Sequence, residues 1–218
     1  QFSAGGATTV EEYVAWIDGF AAGIGDNKAL VILEPDGLGI IPWYTNIDGY
    51  LDWCQPAEAD PETAAADRFY MLNHAVDAVK AQPNASIYLD ATHSGWLNVG
   101  DASQRLFRAG VHRADGFYLN VSNYQYWNGG PEGTKIADLL GPWQGVALSN
   151  YGEWSDDSDD PYLNTSGINW RYGGAQPTTH FVIDTSRNGQ GPWLPPVYPD
   201  AQDWCNPPDR GLGLPPTA

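Results

Sequence analysis

The sequence predicts an α/β protein built on a parallel sheet or barrel, and three observations support this fold class. A helix-like pattern precedes Ala29–Leu33, a short and continuous apolar run of the kind found in strands that are buried on both faces. A second helix-like pattern and a second apolar run follow in the same order. Polar residues come directly after each predicted strand. Repeated helix-then-strand order favours parallel strands whose carboxyl ends share one edge.

The first predicted helix runs from Thr8 to Ile24. Two overlapping capping boxes, Thr8 with Glu11 and Thr9 with Glu12, stand at its start, and apolar residues recur after them at helical spacing. The other predicted elements are a helix from Pro61 to about Ala81 and strands at Ser86–Leu89, Gly116–Leu119, Val146–Leu148 and His180–Ile183.

Hydrogen-bonding side chains follow all five predicted strands. Turn and capping preferences alone often place Asp, Asn and Ser after a strand, so one such end has an ordinary structural explanation. In β/α barrels the loops at the carboxyl ends converge on the active site, and five polar ends favour a functional edge. The five ends are Glu34-Pro35-Asp36, Asp90-Ala91-Thr92-His93, Asn120-Val121-Ser122-Asn123, Ser149-Asn150 and Asp184-Thr185-Ser186-Arg187.

The charge balance of the 218 residues narrows the choice of partners. Ten Lys and Arg against 27 Asp and Glu give a net charge of −17, a field that repels nucleic-acid phosphates and anionic lipid surfaces. No apolar run approaches the roughly 18 to 20 residues that span a bilayer. No linker-like stretch divides the chain. We therefore expect a single domain that binds neither nucleic acid nor membranes.

Aromatic residues are abundant, with ten Trp and twelve Tyr in a chain of which 17% is charged. Any one of them is commonly a core residue. As a set they favour carbohydrate, because flat rings stack on the C–H faces of sugars and an acidic cleft does not repel a neutral polysaccharide. The two cysteines, Cys54 and Cys205, lack the spacing of a zinc site, and no metal or organic cofactor is expected.

Five motifs are spread over nearly the whole chain. They are Leu33-Glu34-Pro35-Asp36, Tyr88–Trp96, Asn120–Tyr124, Val182–Gly189, and Trp204-Cys205-Asn206 with Arg210–Gly213. In this order they resemble the motifs of family 6 of the glycoside hydrolases, with the first similar to that family's acid-bearing signature. Any one motif alone would be weak evidence, whereas five in family order are specific.

The resemblance implies a distorted parallel β/α barrel, TIM-like, that binds cellulose and cello-oligosaccharides and hydrolyses β-1,4 bonds with inversion. It implies Asp36 as the proton donor and Asp90 as a supporting carboxylate. The chemistry of Asp36 agrees, because a donor needs a pKa raised by burial or by a like charge, and Asp36 follows an apolar strand and a rigid proline. The substrate-binding residues that the resemblance implies are Ser3, His93, Trp96, Asn120, Asn123, Arg187 and Trp204, with Asp184 as a further cleft position.

Family elements expected on either side of these motifs are not found in residues 1–218. An Arg-Asp-Cys triplet would precede Ser3, and a Lys-Pro-rich segment with further carboxylates would follow Ala218. We therefore expect one catalytic domain over residues 1–218 that is incomplete at both ends and lacks the first and last barrel strands. The resemblance gives Cys54 and Cys205 partners in those flanking segments, so the two are expected not to bond to each other.

Several alternatives stay open at this level. The short segment from Gly189 to Trp204 favours an endoglucanase over an exo-acting cellobiohydrolase, whose longer loops roof the cleft. A non-catalytic glucan-binding module is the rival from another class. A purely structural ion pair is the alternative for Asp184 and Arg187, and an ordinary core histidine is the alternative for His93. The protein is expected to be a secreted, extracellular monomer.

Overall fold

The computed structural model describes residues 6–93, 96–97, 99–124, 180–190, 209–213 and 215. Helices and strands alternate through the first part of the chain, as the sequence predicts. The helices are α1 (Val10–Ile24), α2 (Ala64–Lys80) and α3 (Val99–Arg108), and the strands are β1 (Ala29–Leu33), β2 (Ala85–Asp90), β3 (Gly116–Leu119) and β4 (His180–Ile183).

Helix α1 begins where the capping pattern predicts. Thr9 is the N-cap residue, and its side-chain oxygen accepts a hydrogen bond from the backbone amide of Glu12 at 3.2 Å. The Glu12 carboxylate accepts from the backbone amide and the hydroxyl of Thr8, both at 2.8 Å. The second of the two predicted capping boxes is therefore used, with Glu12 reaching one residue further back than usual. The buried stripe of the helix consists of Tyr13, Ile17 and Ala21.

The four strands form one parallel sheet in the order β1-β2-β3-β4. Leu33 pairs with Leu89 and Asp90 pairs with Tyr118, so the carboxyl ends of neighbouring strands lie along the same edge. β3 and β4 are direct neighbours although residues 120–179 separate them in sequence. This edge therefore collects the polar segments that follow each strand.

The two faces of the sheet differ in character. Successive residues of a strand point to opposite faces. Ile87, Leu89 and Phe117 are fully buried and belong to the core that the sheet forms with the helices. Asp90 and its register partner Tyr118 lie on the other face, where Tyr118 is half-buried. One face thus supplies the core, and the other is free to carry polar groups.

The long connection from β1 to α2 is held by a buried arginine on α3. The Arg105 guanidinium donates to Asp101 Oδ2 and to the carbonyl oxygen of Leu38, both at 2.8 Å, and to Asp52 Oδ2 at 2.5 Å. Arg105 and Asp101 are both buried. Buried charges are tolerated when they are paired and hydrogen-bonded in this way. The contacts fix the segment that follows β1 onto α3.

The predicted strands within the described residues agree with the observed ones to within one residue at each end. The second helix is shorter than predicted, since it covers residues 64–80 rather than 61 to about 81. Helix α3 was not predicted from the sequence. The predicted strand at Val146–Leu148 and the polar end after it lie outside the described residues. None of the described helices is long and apolar enough to cross a membrane.

Candidate active site at the carboxyl ends of the strands

The ends of β1 and β2 bring together the two aspartates that the sequence singled out. The backbone amide of Asp36 donates to Oδ2 of Asp90, the last residue of β2, at 2.6 Å. The two residues are 54 positions apart in sequence. They meet because β1 and β2 are parallel neighbours whose carboxyl ends coincide. The predicted donor and its supporting carboxylate therefore lie at one point on the strand edge.

Asp90 is a buried carboxyl group with no cation beside it among the described residues. It is 2% exposed, and no Lys, Arg or His of the described residues lies within ion-pair distance. Burial raises the pKa of Asp90 to about 7; the backbone amide of Asp36 opposes the rise and the negative charge of Asp36 adds to it. Within the described residues, Oδ1 of Asp90 and Oγ1 of Thr92 are buried without a hydrogen-bond partner.

Asp36 lies further out, at the rim of the site. Its side chain reaches solvent, and partial burial still raises its pKa above the ordinary value for an aspartate. A carboxyl group must hold a proton before it can donate one, so a raised pKa favours a donor role. The deep carboxyl of Asp90 and the outer carboxyl of Asp36 are therefore shifted in the same direction but differ in their access to a substrate.

The backbone at these strand ends adopts a conformation that is uncommon outside glycine. Glu34, Asp36, Thr92 and Asn120 have positive φ angles of 52°, 66°, 66° and 63°. For non-glycine residues this region costs on the order of 1–3 kcal/mol, and such residues cluster at functional sites, where the strain helps to aim a side chain. Its recurrence after β1, β2 and β3 supports the interpretation of this edge as a site.

His93 and Trp96 follow β2 and lie side by side. Their ring centroids are 5.8 Å apart, and the backbone amide of Trp96 donates to the carbonyl of His93 at 3.0 Å. Burial lowers the pKa of His93 to about 4, so its imidazole is neutral at pH 7. The outer edge of the Trp96 ring packs on Gly39, where an added Cβ would lie 2.7 Å from the ring. The segments after β1 and β2 are thus in contact at a second point.

The ends of β3 and β4 are joined by side chains that bond to the backbone. Asn120 is buried, and its side-chain amide donates to the carbonyl oxygens of Asp184 at 2.8 Å and of Asn123 at 3.2 Å. The Asp184 carboxylate accepts from the backbone amides of Ser122 at 2.9 Å and of Ser186 at 2.8 Å. Asn120 and Asp184 therefore hold two strand ends together, and their contact with substrate stays a prediction, as does that of the half-buried Asn123.

Of three other predicted substrate-binding residues, the structure describes only one. Ser3 and Trp204 lie outside the described residues, and Arg187 is half-buried in the segment after β4. Their roles in substrate binding stay predictions. Cys54 carries a free thiol, which agrees with the expectation that it is not bonded to Cys205; the latter lies outside the described residues.

Tyr118 is a site residue that the sequence did not single out. It is the register partner of Asp90, and its pKa is raised by burial and by the negative charges of Asp184 and Asp90. Its phenol therefore lies within electrostatic reach of both carboxyl groups. The available signal was its position in the predicted strand that leads to Asn120, but that it is the register partner of Asp90 depends on strand pairing.

The arrangement can perform acid–base chemistry. An outer carboxyl with a raised pKa, beside a buried one that titrates near neutrality, can deliver a proton to a leaving oxygen. Within the described ranges, no group of three or more His, Cys, Asp or Glu side chains is arranged to hold a metal ion.

A parallel α/β sheet with carboxyl groups at its carboxyl edge is an arrangement that glycoside hydrolases use. The family model described as glycosyl hydrolases family 6 matches residues 1–218. The chain belongs to family 6 of the glycosyl hydrolases.

The relatives include proteins named as endoglucanases and as cellobiohydrolases. Endoglucanase 1 of Streptomyces halstedii is 33% identical over 213 residues, which are 98% of this chain and 50% of the relative. A probable 1,4-beta-D-glucan cellobiohydrolase of Aspergillus niger is 27% identical over 223 residues, which cover 95% of this chain and 41% of the relative. This chain therefore spans about half the length of the curated relatives it matches.

The fold is also that of a solved family member. The structure of an endoglucanase from Mycobacterium tuberculosis, in complex with methyl-cellobiosyl-4-deoxy-4-thio-β-D-cellobioside, matches with a TM-score of 0.61 at 32% identity. The match covers 100% of this chain and 55% of that chain. The predicted fold class, a parallel α/β fold of this family, is confirmed, and the four-stranded sheet is the part of it that the described residues form.

Proposed function

We propose that this protein hydrolyses β-1,4-glucosidic bonds of cellulose with inversion at the anomeric carbon. The observation that carries the proposal is the hydrogen bond from the backbone amide of Asp36 to the buried carboxyl of Asp90, which brings together at one strand edge two residues whose carboxyl groups have a raised pKa. Membership of family 6 and the names of the relatives support the choice of cellulose as substrate.

Asp36 is the proton donor in this proposal. Its carboxyl group reaches solvent, so it can approach the glycosidic oxygen and protonate it as the bond breaks. Asp90 is 2% exposed and too deep to attack the sugar itself. It supports the donor by binding the backbone amide of Asp36, which fixes the segment that carries this carboxyl, while partial burial raises the pKa of Asp36 itself.

His93 and Trp96 bind the leaving-group side of the glucan. A neutral imidazole can exchange hydrogen bonds with sugar hydroxyls, and the indole ring offers a flat apolar face to a pyranose. The packing of Trp96 on Gly39 holds that ring near the segment that carries Asp36. In this proposal the sugar that accepts the proton therefore lies between the Asp36 carboxyl and the Trp96 ring.

Within this function we propose endo action by a secreted enzyme. The short segment from Gly189 to Trp204 supports an open cleft, and endoglucanases match at higher identity than the Aspergillus niger cellobiohydrolase does. Open clefts bind internal stretches of a chain.

The test uses the full-length protein on soluble carboxymethyl cellulose. A rapid fall in viscosity with few new reducing ends is expected, and NMR of the first products should show the α-anomer. Release of cellobiose alone would support the exo-acting alternative. Glucan binding by calorimetry without any reducing-sugar release would favour the non-catalytic binding module and overturn the proposal.

A further inference from the structure

A hairpin within the connection between β1 and α2 is a fixed structural unit. The hairpin comprises residues 43–54. The backbone amide of Trp43 donates to the carbonyl of Cys54 at 2.9 Å, and the amide of Asn46 donates to the carbonyl of Tyr50 at 2.8 Å. An isolated antiparallel bridge between positions 45 and 51 lies between these two bonds. The backbone of the hairpin is therefore cross-linked along its length.

The tip of the hairpin is closed by an asparagine. Oδ1 of Asn46 accepts from the backbone amides of Asp48 at 3.1 Å and Tyr50 at 3.0 Å. Gly49 occupies the turn with a φ of 83°, a conformation that glycine adopts without the steric cost that a side chain would add. The turn thus presents the residues of the tip in one arrangement.

The inner side of the hairpin is anchored next to the donor segment. Tyr44 is buried beneath Arg105, whose guanidinium lies 4.4 Å from the centre of the Tyr44 ring. The same guanidinium bonds Asp52 of the hairpin and the carbonyl of Leu38, which stands two residues beyond Asp36. One buried cation therefore joins the hairpin to the segment that carries the proposed donor.

The outer side of the hairpin presents large side chains to solvent. Tyr50 is 72% exposed, Trp53 is 62% exposed, and Leu51 between them is 48% exposed. Aromatic residues of this size contribute most to stability when they are buried, so packing against the described residues does not explain these exposed side chains. Rigid aromatic side chains grouped beside a site are typical of a ligand-contacting surface.

We propose that Tyr50 and Trp53 form an additional contact surface for the β-1,4-glucan, next to the Asp36 segment. A neutral polysaccharide suits this surface because its pyranose rings offer apolar faces to aromatic rings, and because the net charge of −17 disfavours anionic polymers. The proposal rests on the proposed function, since the ligand of the hairpin is the chain that is cut. It extends the glucan contact beyond Trp96 to a surface built by the hairpin.

The test compares ligand lengths in full-length protein carrying Asp36→Asn, which prevents turnover during calorimetry. Trp53→Ala and Tyr50→Ala should each weaken cellohexaose binding by about tenfold and cellobiose binding by less than about twofold, because only a long ligand reaches the hairpin. Trp53→Phe should retain most of the affinity. The matched control is Trp16→Ala, because Trp16 lies on α1 and is also 62% exposed.

Equal loss of affinity for short and long ligands, or an equal loss in the Trp16 control, would overturn the proposal. An unchanged cellohexaose affinity combined with loss of self-association in light scattering would assign the hairpin to a protein contact instead. Failure of the proposed hydrolysis is separable, because in protein with Asp36 intact it would appear as absent cleavage while the length-dependent affinity persists. A protein that binds no cello-oligosaccharide at all would overturn both.

Discussion

Asp90 and Asp101 are two buried aspartates whose surroundings are opposite. Asp101 is 4% exposed and accepts a hydrogen bond from the Arg105 guanidinium at 2.8 Å. Asp90 is 2% exposed, accepts a backbone amide and has no cation within ion-pair distance among the described residues. Burial raises the pKa of both, but at Asp101 the Arg105 cation acts against the rise, whereas at Asp90 the pKa reaches about 7.

The difference separates a structural charge from a chemical one. A buried carboxylate with a counter-ion is held in its ionised form, and its contribution is to fix two segments in place. A buried carboxyl without a counter-ion keeps the option of binding a proton near neutral pH, which acid–base chemistry requires. The same residue type thus helps to anchor the hairpin through Arg105 at one point and binds the backbone of the proposed donor at another.

The largest expected effect comes from the site of Asp36 and Asp90. Asp36→Asn should lower turnover on cello-oligosaccharides by at least about a hundredfold, because a carboxamide cannot donate the proton that the leaving oxygen needs. Cello-oligosaccharide binding should survive, since the substitution keeps the shape of the side chain. Steady-state kinetics on substrates with poor leaving groups measure the effect. A variant that keeps more than about a third of the wild-type rate would show that Asp36 is not the donor.

Removing the cation that pairs with Asp101 should lower the stability of the protein. Arg105→Ala leaves Asp101 and Asp52 without their counter-ion, and we expect a loss of about 3–5 kcal/mol in the free energy of unfolding, measured by urea denaturation. As a control, Arg105→Met combined with Asp101→Leu removes the cation together with the more deeply buried of its two carboxylates and should recover part of the loss. If Arg105→Ala cost less than about 1 kcal/mol, the comparison between the two aspartates would fail.

Asp90→Asn should change how stability depends on pH. Below about pH 4 the Asp90 carboxyl is protonated in both the folded and the unfolded chain. Between there and about pH 7 the unfolded chain has released a proton that the folded protein retains, so this carboxyl lowers stability as pH rises. The variant has no titratable group at position 90, so this loss of stability is absent from it.

Thermal unfolding at two pH values measures this difference. The melting temperatures of the wild type and of Asp90→Asn should be similar at pH 4, and the variant should melt at the higher temperature at pH 8. A difference of the same size and sign at both pH values would mean that Asp90 ionises in the folded protein as an ordinary aspartate does.

The smallest effect is expected at an exposed ion pair. Asp77 is bonded by Arg113 at 2.7 Å on the surface of α2, where the Asp77 side chain is 61% exposed. Asp77→Asn should change the free energy of unfolding by no more than about 0.5 kcal/mol, because solvent screens the pair. Urea denaturation beside the Arg105 variants provides the measurement. A loss as large as theirs would show that burial is not what distinguishes these pairs.

Local patterns made the secondary structure predictable. Short, largely apolar segments located β1 to β4, but the burial of β1 on both faces that its continuous apolar run predicted is wrong, since Leu30 is 60% exposed. Thr9 and Glu12 located the start of α1 because a helix end must satisfy its free amides within a few residues. Helix α3 was not predicted, since its Arg105 and Asp101 interrupt an apolar pattern. Their burial is tolerated because Arg105 pairs with both Asp101 and Asp52.

The sequence predicted which residues belong to the site better than it predicted the contacts that these residues make. Asp36 and Asp90 were identified by motifs, and the parallel pairing of β1 and β2 then brought them together. The backbone contacts of Asp184 and the position of Tyr118 beside Asp90 depend on strand register and on which backbone amides lie free at a strand end. Neither is encoded in the spacing of residues along one segment.

By itself the sequence determined the family, the order of helices and strands, and the residue types at each strand end, because these follow from patterns within short stretches of chain. The tertiary structure decided which aspartate has no cation nearby among the described residues and which one is held by Arg105. It also decided that Arg105 joins the 43–54 hairpin to the segment just after Asp36. The physical reason is that burial and electrostatic environment are sums over neighbours distant in sequence.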